Sequence, residues 1–293
     1  MVQKVYITEY LGHTNRGREI LKQFLSLEES GRIILIKIPD DLSQKNEWCR
    51  DYMPVRSGDG TLILFKYFPS YLRSGSNNKT IPDQIKLCSN LGLEYVKSDI
   101  ILDGGAIEIY EHIGLVSDRI FRDNYQKWRQ DEKGLLLQLK DELRLEKLFV
   151  IPQHPYDFTG HVDGLVRFIN KDKVLINDLT GEYAHMLNDK NGYRKKLIDQ
   201  WYYSFKMSLY NANLESENLT CIIDPDRKPS DAFGIYLNSL LLEDFILAPG
   251  FGQSELDNKA RLELRRIFGK DAITIQATKL AEKGGIINCV TWS

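Results

Sequence analysis

Five side chains with reactive or charged groups stand out in the sequence: Asp51, Asp103, His161, Asp163 and Cys289. A cysteine thiol beside a histidine imidazole is a candidate nucleophile with its own proton shuttle. Carboxylates next to that pair would attract a cation and repel an anion, most strongly in a partly dry pocket. If these side chains converge, the sequence predicts nucleophilic chemistry on a positively charged group.

A guanidinium group fits such a site. Carboxylates can bind its N–H groups through charge-assisted, bidentate hydrogen bonds. The thiolate would attack the planar central carbon, and the histidine would then protonate the departing nitrogen. An anionic metabolite is disfavoured as the substrate.

Each of these residues also has a purely structural interpretation. A lone cysteine in an apolar strand is usually a small core residue. The GHVD segment at residues 160–163 could be a tight turn, and Asp103 before two glycines favours a turn that leads into a strand. Arg50 and Asp51 could form a surface ion pair of little energetic value. The joint order of the four segments favours a site, whereas no single segment does.

The elements that must position these residues follow a recurring order of strand, strand, helix and strand. Hydrophobic patterns predict three copies between residues 106 and 276, a rougher copy upstream, and a fifth copy split between the chain ends. The predicted elements include a helix over 125–143 and strands over 52–55, 95–96, 219–223, 234–242 and 286–291.

Five candidate units begin at similar spacings, near Asp51, Asp103, Asp163, Asp231 and Cys289. This spacing predicts one α/β domain over residues 1–293, with strands 5–8 and 286–291 pairing to close a ring. Ring closure would leave no sheet edge exposed. Equivalent strand ends would then point at one axis, which would bring the reactive side chains together. From the pattern alone, an ordinary mixed α+β domain with uneven elements is the alternative.

Composition excludes several broad classes of protein. Hydrophobic residues make up 42% of the 293 residues and charged residues 27%, which is typical of a globular chain and not of a disordered one. The net charge of −2 indicates no general affinity for nucleic acid or anionic membranes. No apolar stretch is long enough for a membrane helix, and charges come too early for a signal peptide. The four cysteines show no C-x-x-C or zinc spacing, so we expect a cytoplasmic protein with reduced thiols.

Four ordered motifs resemble those of the agmatine deiminase and bacterial-type (Porphyromonas-type) peptidylarginine deiminase family. Residues 48–54, WCRDYMP, resemble the family's W-x-R-D-x-x-P motif, and residues 102–106, LDGGA, resemble its L-E-G-G segment. GHVD at 160–163 matches its G-H-V-D motif, and GGIINCVT at 284–291 resembles its G-G-x-I-H-C-x-T ending. Residues 232–249 are similar to the corresponding strand pair. The resemblance implies the pentein fold, a five-bladed α/β propeller of ββαβ units with pseudo-fivefold symmetry.

The resemblance also implies roles for individual residues. Cys289 would be the nucleophile and His161 the general acid and then base, while Asp51 and Asp163 would hold the guanidinium. Five further residues are candidates for substrate binding: Trp48, Asp103, Gly104, Gly105 and Asn238. The mechanism needs no organic cofactor and no metal.

Several departures from the family pattern concern the substrate and not the nucleophile. Position 103 is Asp where the motif has Glu, and position 288 is Asn where the agmatine-type motif has His. The opening segment typical of agmatine deiminases is missing, and the chain is short for the family. Agmatine is the first expected substrate, because the motifs are most similar to that branch of the family, and the departures keep arginine and peptidyl arginine open.

Three functions remain in competition. The first is a cysteine hydrolase that deiminates a guanidino compound through a covalent thiouronium intermediate and releases ammonia. An amidinotransferase would use the same cysteine but deliver the amidino group to an amine. A non-catalytic pentein that only binds partners is disfavoured, because the nucleophile, the histidine and both aspartates are present. The sequence leaves the oligomeric state open.

Overall fold

The computed structural model describes residues 2–73, 80–178, 192–222 and 231–293. The chain forms two compact units. Unit 1 comprises Met1–Arg50, Leu175–Lys196 and Glu217–Ser293, and unit 2 comprises Asp51–Val174 and Leu197–Ser216. In the part of the chain that is described, no helix is both long and apolar enough to span a membrane.

The chain begins in unit 1 with a parallel pair of strands joined by a helix. The elements are β1 (Gln3–Thr8), α1 (Gly17–Glu29) and β2 (Ile33–Ile38). The buried residues of α1 recur at helical spacing, so the helix packs through one apolar face. Two short helices follow, α2 (Asp40–Ser43) and α3 (Cys49–Tyr52).

Two sheets of unit 2 repeat the order strand, strand, helix, strand. The first consists of β3 (Val55–Arg56), β4 (Leu62–Lys66), α4 (Gln84–Asn90) and β5 (Val96–Ile101). The second consists of β6 (Ile107–Tyr110), β7 (Ile113–Ser117), α5 (Arg119–Asp123), α6 (Tyr125–Trp128), α7 (Glu132–Glu142) and β8 (Lys147–Ile151). In both sheets the first two strands are antiparallel and the third is parallel to the second. A hairpin needs only a short turn, whereas a parallel connection must cross over and leaves room for a helix.

Two further sheets have the same order of elements. One contains β9 (Val166–Asn170), β10 (Lys173–Asn177), α8 (Tyr193–Asn211) and β11 (Glu215–Leu219), with strand order β11-β10-β9. The other, in unit 1, contains β12 (Leu240–Leu241), β13 (Phe245–Gly250), α9 (Ser254–Phe268) and β14 (Asp271–Gln276), and α10 (Thr278–Ala281) follows it. The recurring ββαβ order predicted from the sequence is thus confirmed in four of the sheets among the described residues.

The strand predicted over 286–291 is wrong. Gly284 has a φ of 87°, and the chain after it winds into turns in which the Val290 amide donates to the Ile286 carbonyl at 3.3 Å. The Thr291 hydroxyl donates to the Ile287 carbonyl at 2.7 Å, which holds the turn and competes with an extended ladder. Trp292, which follows this segment, pairs with β1 only through an isolated antiparallel bridge to Tyr6. Ring closure through the termini and a single domain over 1–293 stay predictions.

Other predicted elements differ from the structure at their ends or are interrupted. The helix predicted over 125–143 is broken into α6 and α7, because Asp131 leaves the helix and its Oδ1 accepts the Gly134 amide at 2.8 Å as the N-cap of α7. The strand predicted over 52–55 is helical up to Tyr52, and the strand predicted over 234–242 is reduced to β12 after a series of turns. β5 extends well beyond 95–96, and β11 precedes most of 219–223, of which Ile223 lies outside the described residues.

Candidate active site

His161 lies between two carboxylates in unit 2. Its Nε2 is 3.2 Å from Asp103 Oδ2, and its Nδ1 is 3.7 Å from Asp51 Oδ1. All three side chains are buried, with His161 only 8% exposed. A protonated imidazole has an N–H on each side, so this arrangement suits an imidazolium.

The glycine pair after Asp103 positions the imidazole ring. A Cβ on Gly105 would lie 2.6 Å from His161 Nδ1 and 2.9 Å from its Cγ, so the ring rests directly on the glycine backbone. The Gly105 carbonyl accepts the amides of Val162 at 2.8 Å and Asp163 at 3.2 Å. Gly104 opens the 3-10 turn that connects Asp103 to this contact. The LDGGA and GHVD segments can therefore pack together because Gly105 has no side chain.

The electrostatic surroundings favour the charged form of His161. Burial alone would lower the pKa of His161. The charge of Asp51, the hydrogen bond and charge of Asp103, and the charge of Asp163 outweigh burial and raise the pKa to about 10 from an ordinary value of 6.5. Asp163 therefore belongs to the same electrostatic cluster, and it is itself buried. At neutral pH His161 is an acid that holds its proton.

The short helix that carries Asp51 is held by the side chain of Gln84. Asp51 lies on the short helix α3, whose last residue, Tyr52, accepts a hydrogen bond from Gln84 Nε2 at 2.9 Å. The same nitrogen donates to the Phe65 carbonyl at 2.9 Å, and Gln84 Oε1 accepts the Tyr67 amide at 2.9 Å. Gln84 thus ties α3 to the end of β4.

Cys289 lies in unit 1, within the turns that replace the predicted strand. Its Sγ is 3.4 Å from Asn238 Oδ1, and the Asn238 carbonyl accepts the Asn288 amide at 3.3 Å. The side chain is only 6% exposed.

Trp48 packs beside Cys289. A Cβ on Gly285 would lie 2.5 Å from Trp48 Cζ3 and 3.1 Å from Cys289 Cβ, so the glycine makes room for the indole next to the thiol. The residue after the tryptophan, Cys49, is fully buried, and its Sγ donates to the Val290 carbonyl at 3.1 Å. The Arg50 amide donates to the Cys289 carbonyl at 3.2 Å. These contacts fasten the WCR segment to the cysteine turn.

The structure brings the predicted residues together in two groups. In unit 2 the group is Asp51, Asp103, Gly104, Gly105, His161 and Asp163, and in unit 1 it is Trp48, Asn238 and Cys289. In the part of the chain that the structure describes, no group of three or more His, Cys, Asp or Glu side chains is arranged to hold a metal ion. The group in unit 2 presents an imidazole among carboxylates, and the group in unit 1 presents a thiol beside an amide and an indole.

Sequence reasoning missed three residues around the pair formed by Asp103 and His161. The Tyr71 hydroxyl donates to Asp103 Oδ2 at 2.6 Å, and the guanidinium of Arg119 lies over the Tyr71 ring at 4.9 Å. Neither residue belongs to a motif, and each is far from His161 in sequence. A third, Asp157, accepts the His161 amide at 2.9 Å, and its position just before Thr159-Gly160 is typical of an Asx turn. Only Asp157 left a signal in the sequence.

Comparisons with known proteins identify the family of this chain. The profile of the Porphyromonas-type peptidyl-arginine deiminase family matches residues 12–293. A curated Mycoplasma mycoides protein, provisionally named an agmatine deiminase, is 22% identical over 293 aligned residues, which cover 90% of this chain and 77% of the relative.

Two solved structures of agmatine deiminases are also similar. One is the Enterococcus faecalis enzyme, at 15% identity and a TM-score of 0.70, and the match covers 99% of this chain and 92% of that one. The other is a Cys-to-Ser variant of the C. jejuni enzyme with substrate bound, at 15% identity and a TM-score of 0.72, with the same coverage. The fold is the pentein α/β fold. With the profile matched along nearly its whole length, the chain belongs to the Porphyromonas-type peptidyl-arginine deiminase family.

Proposed function

We propose that this protein is a cysteine hydrolase that deiminates a guanidino compound and releases ammonia, a reaction on the C–N bond of a linear amidine. The observation that carries the proposal is the buried imidazole of His161 between Asp51 and Asp103, resting on Gly105. Membership of the deiminase family supports the same reaction.

The first step forms a covalent adduct. Asp51 and Asp163 hold the N–H groups of the guanidinium, and Cys289 Sγ attacks its central carbon as a thiolate. The bond between that carbon and the terminal nitrogen breaks, and His161 supplies the proton with which the nitrogen leaves as ammonia. A thiouronium group then joins Cys289 to the rest of the substrate.

The second step hydrolyses the adduct. His161, now neutral, takes a proton from a water molecule, whose oxygen adds to the thiouronium carbon. The C–S bond breaks while the hydroxyl proton passes to bulk water, the thiolate returns to Cys289, and the product carries a neutral ureido group in place of the guanidinium. His161 ends the cycle protonated.

Substrate binding prepares His161 for the first step. The carboxylates that hold the proton on His161 are those proposed to grip the substrate. A guanidinium between them offsets their charge, which lowers the pKa of His161 from about 10 toward neutral and makes its proton available. General acid–base catalysis of this kind typically contributes about 10²–10⁴-fold to the rate.

Agmatine is the first substrate to test, because the curated relative and both solved structures carry that name. Peptidyl arginine is the second, because the family is named for it. The protein would be incubated with agmatine, free arginine and an arginine peptide in heavy-oxygen water, with ammonia release and product mass as the measurements. We expect ammonia and one heavy oxygen in the ureido product from at least one of them.

Two results would contradict the proposal. Transfer of the amidino group to an added amine, without heavy oxygen in the product, would indicate an amidinotransferase. Folded protein that binds these compounds but never releases ammonia would indicate a non-catalytic pentein. Cys289→Ser protein is the control for ammonia released without the enzyme.

A further inference from the structure

Asp103 does not fix its own carboxylate. The torsion that orients an aspartate carboxylate is broad and roughly two-fold, so the group needs partners to hold one direction. Oδ2 faces His161 Nε2 at 3.2 Å, while Oδ1 is buried and accepts no hydrogen bond among the described residues. The family motif has Glu at this position, so the carboxylate of Asp103 is also one methylene short.

The Tyr71 hydroxyl supplies the missing constraint. It donates to Asp103 Oδ2 at 2.6 Å, and this is the oxygen that faces the imidazole. Burial of the hydroxyl first, and then the charge of Asp103, raise the pKa of Tyr71 well above its ordinary value, so the phenol keeps its proton and remains a donor.

The Tyr71 ring is itself held in place. The Arg119 guanidinium lies over one face at 4.9 Å, and the Phe158 ring meets it edge-on at 5.6 Å with an interplanar angle of 89°. Arg119 is buried, donates to the Ser70 hydroxyl at 2.9 Å and to the Phe158 carbonyl, and its Nε is 3.4 Å from Asp123 Oδ2. The donor is therefore preorganised by contacts from three segments of unit 2.

We propose that Tyr71 is a positioning residue for the Asp103–His161 pair, and that its hydroxyl orients the short Asp103 carboxylate toward the imidazole. The inference rests on the proposed function, in which His161 is the acid. Tyr71 acts on His161 through Asp103, to which its hydroxyl donates. The charged and titratable groups around His161 are Asp51, Asp103, Asp163, Asp157 and, through Asp103, Tyr71 and Arg119.

The test is the titration of His161 in Tyr71→Phe, followed by NMR on histidine-labelled protein. The chain has five histidines, so the His161 signal can be assigned by its loss in His161→Gln. We expect the midpoint of His161 to fall by about one pH unit, because a carboxylate that rotates away stabilises the imidazolium less. The His154 signal is an internal reference, since burial lowers the pKa of His154 to about 4 and keeps it neutral throughout.

Tyr236→Phe is the matched control. Tyr236 is fully buried whereas Tyr71 is half-buried, but the Tyr236 hydroxyl likewise donates to a carboxylate, that of Asp257, at the same distance of 2.6 Å. Its loss should lower stability as much as Tyr71→Phe does, yet leave the His161 midpoint in place. Adding Asp103→Glu to Tyr71→Phe should raise the midpoint again, because the longer side chain reaches His161 without the hydroxyl.

An unchanged midpoint in folded Tyr71→Phe overturns the inference, and so does a raised one, which would mean that the phenol only withdraws charge from Asp103. If Tyr71→Phe does not fold, the hydroxyl proton of Tyr71 is followed in wild-type protein, and it must shift as His161 titrates. A hydroxyl resonance that ignores that titration overturns the inference too. None of these measurements needs turnover, so a failure of the proposed reaction is recognised separately. In an active enzyme, Tyr71→Phe should lower kcat about tenfold with little change in KM.

Discussion

At the scale of single residues, the surroundings of the thiol differ between two buried cysteines, Cys88 and Cys289. Cys88 is fully buried in α4, and burial raises the pKa of its thiol to about 12, so it stays protonated and inert. Cys289 is buried as well, but its Sγ lies beside the polar amide of Asn238 in a turn. This polar partner distinguishes Cys289, the proposed nucleophile, from a cysteine in an apolar core.

Replacement of the nucleophile is the first prediction. We expect Cys289→Ser to lower turnover at least about 10³-fold while the fold is retained, because a serine hydroxyl is a far weaker nucleophile at neutral pH. The measurements are ammonia release and the mass of the intact protein, which should show an adduct only with the wild-type thiol. Cys88→Ser is the matched control and should keep its activity. A Cys289→Ser protein with wild-type turnover would rule out the covalent mechanism.

At the scale of elements, the 3-10 turn Gly104–Ala106 carries the histidine. Gly105 in this turn has no side chain where the imidazole rests, and its carbonyl accepts hydrogen bonds from the amides of Val162 and Asp163. Two segments far apart in sequence are thereby set in one register. A glycine has the same role in unit 1, where the missing side chain of Gly285 leaves space for Trp48 beside Cys289.

The second prediction concerns this turn. In Gly105→Ala the new methyl group would lie 2.6 Å from the imidazole, so His161 must move. We expect kcat to fall about 10²-fold, the loss that a misplaced catalytic group typically causes. Gly114→Ala is the control, because its methyl group would lie 2.7 Å from the Leu145 side chain instead. Both variants should lose stability, by about 1–3 kcal/mol. Equal activity of the two would show that the contact with His161 is unimportant.

At the scale of the whole molecule, the charge on His161 couples the stability of the fold to pH. Its pKa is about 10 in the folded protein and near 6.5 when the histidine is unpaired. The stabilisation is therefore fully present below pH about 6.5, where both states hold the proton, and it is lost as pH rises toward 10. Through that window the folded state binds more protons than the unfolded state.

The third prediction follows from that linkage. We expect the free energy of unfolding, from urea titrations at several pH values, to decrease between pH about 7 and 10. In His161→Gln this slope should be smaller, because the variant has no proton to lose at this position. His13→Gln is the control, since His13 is on the surface and 63% of its side chain is exposed. A wild-type slope that survives in His161→Gln would assign the linkage to another group.

The sequence alone determined the order of the elements and the residue types of the site. Hydrophobic periodicity is a local property, so the sequence predicts the ββαβ order that four sheets of the described residues show. The motifs predicted the site residues Asp51, Asp103, His161, Asp163 and Cys289, because those residue types at those places suit guanidinium chemistry.

Only the tertiary structure decided how these residues are held. The apolar residues of 286–291 predict a strand, yet Gly284 and the hydrogen bond from the Thr291 hydroxyl form turns there. Side-chain hydrogen bonds of that kind cannot be predicted from a hydrophobic period. Tyr71 contacts Asp103, and Arg119 contacts Tyr71, between segments far apart in the chain, so no motif or spacing in the sequence identifies them. The raised pKa of His161 likewise exists only once three carboxylates surround the ring and outweigh its burial, because a pKa shift is a property of the folded environment.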